Sequence, residues 1–265
     1  MCFAGFMLAA NGHISVGRLG VTLVGTALII GSACVVNNCL DRAIDQKMAR
    51  TKRRATVTGQ IGVPQALIYA ATLGVGGIYL LLAYINWRTA AIGLVGFIAY
   101  TLVYGYAKRH SHHGTLVGTI SGATPPVAGY VAVINHFDTT ALLLFLIMVC
   151  WQMPHFYGIA LYRQKDYQAA GLPLLPIVKG THRTKFEIMI YTALFIVTGV
   201  LLGTIGHASY IFAVVVLLLG SAWLQRGLQG FNAPDDVAWG RSMFLFSLIV
   251  LLAMAGVLSL NSWLP

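Results

Sequence analysis

Long apolar stretches separated by short polar runs recur along the chain, at about 19–40, 63–84, 89–107, 115–135, 139–161, 186–206, 208–224 and 243–264. An α-helix needs roughly 20 apolar residues to cross a hydrocarbon core of about 30 Å, with a working range of about 17–25. The pattern therefore predicts eight membrane-spanning helices. Residues 1–10, MCFAGFMLAA, are just as apolar but too short to cross alone, and they lack the basic leader of a signal peptide. They are read as what remains of a first helix, short or truncated. The fold class expected is an all-α, polytopic membrane protein, with 1–265 as one membrane domain, because even the longest polar connection, 162–185, is only a loop in length.

Composition strengthens this reading. A chain that is 58% hydrophobic and 9% charged, with mean hydropathy +0.78, cannot hide its apolar residues in a water-soluble core of this size. Of the seventeen Lys and Arg residues, all but Arg18 and Arg88 fall in 41–62, 108–114, 162–185 and 225–242. The intervening turns are nearly neutral. Basic residues near helix ends accumulate on the cytoplasmic side, so these four segments are expected there, in a bacterial inner membrane or, in a eukaryote, the mitochondrial inner membrane. The net charge of +10 then records topology and gives no reason to expect a nucleic-acid partner. Cys2, Cys34, Cys39 and Cys150 are scattered through apolar segments, which indicates neither a disulfide framework nor a zinc ribbon.

Candidate chemistry starts where the first long apolar run ends. Asn37, Asp41 and Asp45 stand at i, i+4 and i+8, so on a helix they share one face over two turns. Oxygen donors of this kind suit a hard cation such as Mg²⁺, which is commonly held by one or two carboxylates together with substrate phosphates. Lys47, Arg50, Lys52, Arg53 and Arg54 follow at once and suit those phosphates. The competing reading is a set of exposed ion pairs at a helix end, each worth little. Only seven acidic residues occur in the chain, and carboxylates at a membrane edge are functional candidates by default.

The other basic segments add further groups. Tyr104 and Lys108 are i, i+4 neighbours at a helix end, where Lys108 and Arg109 could equally be headgroup anchors. His110, His112 and His113 have no acidic or cysteine partners nearby and do not make a metal site. Small residues from Gly114 to Gly122 suit close helix packing, and Pro125-Pro126 should break or kink that helix beside a cavity. The run from Trp151 through His155 to Asp166 concentrates polar groups at the end of an apolar span. His155 is either a histidine bonded to a neighbouring helix or a contact to a polar or metal-containing part of a substrate, and Asp166 either completes the metal site or forms an ordinary loop ion pair.

Taken together, N-x3-D-x3-D followed by RTKRR, then YGYAKRH, GTISGATPP and WQMPHFYGIALYRQKDYQAAGLPLLP resemble the UbiA superfamily of intramembrane prenyltransferases, and within it the branch that farnesylates heme. The likeness runs from about residue 20 to 242. It implies nine transmembrane helices around a central cavity open to lipid, with farnesyl diphosphate and heme B as substrates, Mg²⁺ as cofactor, and heme O and diphosphate as products. Carried over, Asn37, Asp41, Asp45 and Asp166 are the implied metal-binding residues. Arg50, Arg54, Lys108 and Arg109 face the diphosphate, Tyr104 lies near the reacting end of the isoprenoid, and Trp151, His155 and Arg163 complete the substrate contacts, with His155 on heme. Asp166 stands alone where other branches carry two spaced carboxylates. A quinone precursor or other aromatic acceptor would use the same diphosphate residues, and a transporter is the remaining alternative. Membrane lipid surrounds the chain, and heme A synthase or a terminal oxidase are candidate partners downstream.

Overall fold

The computed structural model describes residues 1–205 and 207–264. Among them are nine principal helices: α1 Cys2–Ala10, α2 Val16–Leu40, α3 Val63–Tyr84, α4 Trp87–His110, α5 Gly114–Ile134, α6 Thr139–Tyr162, α7 Gly180–Thr204, α8 Tyr210–Asn232 and α9 Asp236–Ser259. The last eight are long and apolar enough to cross a membrane, as the hydropathy pattern predicts. The chain is a multi-pass membrane protein. The first of the nine expected spans is the nine-residue α1, whose Ala4, Phe6 and Leu8 are buried inside the bundle.

The two ends of the bundle are built differently. At the nearly neutral end the turns are tight and closed by polar caps. Asn86 accepts from the Thr89 amide, Asp138 from Ala141 and Ser209 from Phe212, satisfying amides that the first helical turn leaves without partners. Asn135 stops α5 in a left-handed conformation, with φ 60°. At the basic end the connections are longer and carry short helices at Arg42–Asp45, Ala55–Thr58, Gln164–Ala169 and Leu175–Val178. Met48, Ala170 and Leu172 pack together there with Ile44, Tyr167 and Leu174, so the first and third basic loops close over one another.

Lipid tails are as apolar as a leucine side chain, so close packing rather than water exclusion holds such helices together. α2 lies on α3, α1 on α5, and α6 between α7 and α9. A methyl group at Gly5 or Gly129 would run into the Pro126 or Cys2 carbonyl, which shows how closely the backbones of α1 and α5 approach. Outward positions such as Ile68, Val75 and Leu252 stay exposed for lipid. Pro125 lies inside α5 and cannot donate to the Ser121 carbonyl. The Thr124 hydroxyl donates to that oxygen instead, at 2.8 Å, so the helix continues past the proline pair.

Candidate active site

α2 stops at Leu40, but the helical spacing does not, because the Asp41 amide donates to the Asn37 carbonyl and the Asp45 amide to the Asp41 carbonyl. Asn37, Asp41 and Asp45 consequently stay on one side, and all three are buried, at 7%, 7% and 2% exposure. Lys108, from the end of α4, is buried with them. Its ammonium donates to Asp41 Oδ2 and, at 2.8 Å, to Asn37 Oδ1, while Asn37 Nδ2 donates to Asp41 Oδ2 at 2.9 Å. Arg109 donates to Asp41 Oδ1 at 3.1 Å and to the Leu40 carbonyl at 2.8 Å. Arg54 donates to Asp45 Oδ2 at 2.7 Å and to Asn38 Oδ1 at 2.9 Å. Two carboxylates thus meet three cations, leaving a net positive cluster at the basic end.

A cavity of about 260 Å³ opens beside this cluster. α4 contributes Tyr100, Tyr104 and Lys108, and α6 contributes Gln152, Phe156 and Ala160. Both sets have i, i+4, i+8 spacing, like the Asn37 stripe. Around Tyr100 and Tyr104 the α4 backbone is wound as a π-helix from Ala99 to Tyr104, a local widening frequent at functional sites. The two tyrosine rings stack with centroids 5.7 Å apart, and Lys108 Nζ lies 4.9 Å from the Tyr104 centroid. Tyr167, Leu172 and Leu174 close the basic end, and burial pushes the Tyr167 phenol above its ordinary pKa, so it remains a neutral donor. A second, more apolar cavity of about 240 Å³ shares Tyr100, Ser121 and Gly122 with the first and continues along α2 past Ile29, Ala33 and Cys34, next to Pro125.

Other expected residues are placed apart. Asp166, on Gln164–Ala169, lines a separate open groove with Arg163 and Lys165. Among the described residues no three Asp, Glu, His or Cys side chains come together as a metal cluster. Arg163 lies over the Tyr162 ring at 4.5 Å, and Arg50 is exposed. Trp151 and His155 do not line either cavity, because they sit on the face of α6 that packs against α9. Trp151 Nε1 donates to the Ser247 carbonyl at 3.0 Å, and the His155 ring stacks on Trp151 with centroids 4.7 Å apart. Ser247 Oγ donates its only proton to the Phe244 carbonyl at 2.5 Å, so His155 Nδ1, 2.7 Å from that Oγ, is the donor of their hydrogen bond. Tyr100, Gln152, Phe156 and Tyr167 were not anticipated. For Tyr100 the signal was available, since it is one further i+4 step above Tyr104 and Lys108.

The arrangement is a charged, oxygen-rich mouth over a mostly apolar pocket, suited to a molecule with an anionic head and an apolar tail. Comparison with known proteins agrees with that reading. The UbiA prenyltransferase family matches residues 1–258. The chain is 44% identical over 262 residues, covering 98% of it and 89% of the relative, to protoheme IX farnesyltransferase 2 of Pseudomonas fluorescens. It is 45% identical over 263 residues, with the same coverage, to protoheme IX farnesyltransferase of Pectobacterium carotovorum. In three dimensions it resembles a digeranylgeranylglyceryl phosphate synthase structure, with TM-score 0.81, 15% identity, and coverage of 98% of this chain and 91% of the other. It also resembles a UbiA homolog from Archaeoglobus fulgidus bound to GPP and Mg²⁺, with TM-score 0.71, 14% identity, and coverage of 97% and 95%. At such identities these structures establish the fold, while the family match and the close relatives together establish that this chain, a membrane-embedded prenyltransferase, belongs to the UbiA prenyltransferase family.

Proposed function

We propose that the protein transfers the farnesyl group of farnesyl diphosphate to a vinyl group of heme B, with hydration, giving heme O and diphosphate, and that 1–265 acts as one catalytic domain. Relatives named protoheme IX farnesyltransferase support the choice of donor and acceptor. The observation that carries the reading is the buried Asn37–Asp41–Lys108 triangle at the mouth of a cavity whose other walls are tyrosine, phenylalanine and aliphatic side chains. The basic loops that hold the site are assigned to the cytoplasmic side of a bacterial inner membrane by their charge.

The donor set fits Mg²⁺. Asp41 and Asp45 offer carboxylate oxygens, and Asp45 Oδ1 makes no protein hydrogen bond among the described residues. Without a third protein carboxylate, ligands from the substrate's phosphates would be needed, which is how Mg²⁺ is usually bound. Such an ion would neutralise the diphosphate and ease its departure.

The chain's own residues supply the remainder. Lys108, Arg109 and Arg54 are already held in place by hydrogen bonds, so they stabilise charge on the leaving diphosphate without reorganising. The rings of Tyr100 and Tyr104 line the cavity where an allylic cation would form at C1, and aromatic π-density is attractive to such a cation. Apolar helices exclude bulk water that would otherwise capture that cation. The direct test is to incubate membranes containing the protein with heme B, farnesyl diphosphate and Mg²⁺ and to separate the extracted hemes by chromatography and mass. A more hydrophobic heme carrying farnesyl and hydroxyl additions, lost on chelation, is expected. Farnesylation of a different aromatic acceptor, with heme B untouched, would overturn the choice of acceptor.

A further inference from the structure

The mid-membrane part of the cavity contains a polar feature that diphosphate binding does not use. Gln152 is 4% exposed and lines the cavity. Its amide nitrogen is saturated, donating to the Thr119 carbonyl at 3.1 Å and the Met148 carbonyl at 3.0 Å. That fixes the amide orientation, because only the nitrogen can serve two carbonyl acceptors. Oε1 is left with no protein donor among the described residues, pressed so closely against Gly122 that any side chain there would collide with it. Gly122 has lost its own helical donor, since Pro126 carries no N–H to return to the Gly122 carbonyl. Ser121, the next cavity residue, spends its hydroxyl proton on the Gly118 carbonyl at 2.8 Å. Gln152 Oε1 and Ser121 Oγ, on residues that line the cavity beside Gly122, thus have lone pairs to offer and no proton to give.

An acceptor-only patch deep in a mostly apolar cavity suits one small ligand, a water molecule. Water needs two to four polar partners to stay in such a place, and here both its protons would be taken by the wall while a lone pair faces the cavity. We propose that Gln152 Oε1, with Gly122 and Ser121, holds the water that is added to the acceptor during farnesyl transfer. This rests on the heme-farnesylating reading. As the C1–O bond of farnesyl diphosphate breaks, the diphosphate takes the electron pair and the terminal vinyl carbon of heme bonds to C1. The cation moves to the vinyl carbon next to the porphyrin ring. The held water forms the new C–O bond there, and its released proton goes to the departing diphosphate. Without a water in place the same cation loses a proton from the adjacent carbon and ends as an alkene.

Position matters as much as chemistry. Gln152 lies eight residues from Ala160 along α6, so the patch is about 12 Å deeper than the basic end of the cavity at 1.5 Å per residue. The diphosphate and the reacting carbons fit between, and the water stays off the ionising bond, where it would yield only farnesol. Gln152 is thus a positioning residue acting through the water.

The test reads product rather than rate. Wild type and the variants Gln152→Leu, Gln152→Asn and Gly122→Ala are incubated in membranes with heme B, farnesyl diphosphate, Mg²⁺ and ¹⁸O-labelled water. Wild type should give the hydroxylated, labelled heme. Gln152→Leu and Gly122→Ala should raise the product lighter by one water at least tenfold relative to the hydroxylated one, with Gln152→Asn intermediate. A ratio that stays at the wild-type value in every variant making product overturns the proposal, as does loss of all product in all three variants while wild type is active. Failure of wild type to farnesylate heme at all removes the underlying reading and the proposal with it, an outcome distinct from either.

Discussion

The stripe Asn37–Asp41–Asp45 and the segment Trp151–Asp166 are both polar runs at the basic end of an apolar span, yet they are deployed in opposite ways. On the first, every fourth residue turns to one side and meets Lys108, Arg109 and Arg54. The second is split three ways. Gln152 and Phe156 line the cavity, Trp151 and His155 turn to α9, and Asp166 lies in an outer groove. Charge explains the difference. A helix carrying carboxylates has one face that cannot be given to lipid, whereas α6 is packed on nearly all sides, with Leu144, Ile147, Met153, Tyr157 and Leu161 all buried, so its sequence does not say which face meets the cavity.

Removing the charge at the centre of the ordered stripe should break the comparison most completely. Asp41→Asn keeps the shape and leaves Lys108 an oxygen to bond, but it takes away the carboxylate that pairs Lys108 and Arg109. A loss of about three orders of magnitude in farnesyl transfer is expected, since each positioned charged group at a reacting anion is worth roughly 10²–10³. Membrane yield should stay close to wild type. Activity within tenfold of wild type in extracted-heme assays would remove Asp41 from the site. Arg54→Gln, which frees Asp45 from a partly exposed guanidinium, should cost less, about 10- to 100-fold, mostly as a raised KM for farnesyl diphosphate; an unchanged KM would place Arg54 outside diphosphate binding.

The same contrast sets how far sequence alone reaches. Eight spans, the short α1 and the four basic connections are legible because length and hydropathy of a span are imposed by the bilayer itself. Period-four spacing puts Asn37, Asp41 and Asp45 on one face, and Tyr104 with Lys108 on another. That Lys108 reaches Asp41 across the bundle is a tertiary fact, set by the α4 π-helix and by the packing of α2 against α4, and no local pattern encodes it. Gln152 is hidden for a related reason. One buried amide in an apolar run looks the same whether it serves a neighbouring backbone or a ligand, and here its two ends do both.

Smaller effects sharpen the second region. Asp166 has no ion pair within the site, so Asp166→Asn should lower turnover by about tenfold or less, well short of Asp41→Asn at equal Mg²⁺. A loss matching that of Asp41 would mean that the outer groove and the mouth act as one metal site when substrate is bound.

The smallest change expected is at the α6–α9 contact. Ser247→Ala removes the oxygen that accepts from His155 Nδ1 and leaves that donor unpaired, a cost of about 1–3 kcal/mol in stability. Because Trp151 keeps its bond to the Ser247 backbone carbonyl, the helices should stay in register and farnesyl transfer should fall no more than about twofold. If instead the melting temperature in detergent is unchanged while the heme absorption band shifts or KM for heme B rises tenfold, His155 contacts the acceptor from the α9 side. The two faces of α6 would then both serve heme, Gln152 from the cavity and His155 from the helix interface, and its even burial would reflect two ligand-facing surfaces rather than a purely structural core.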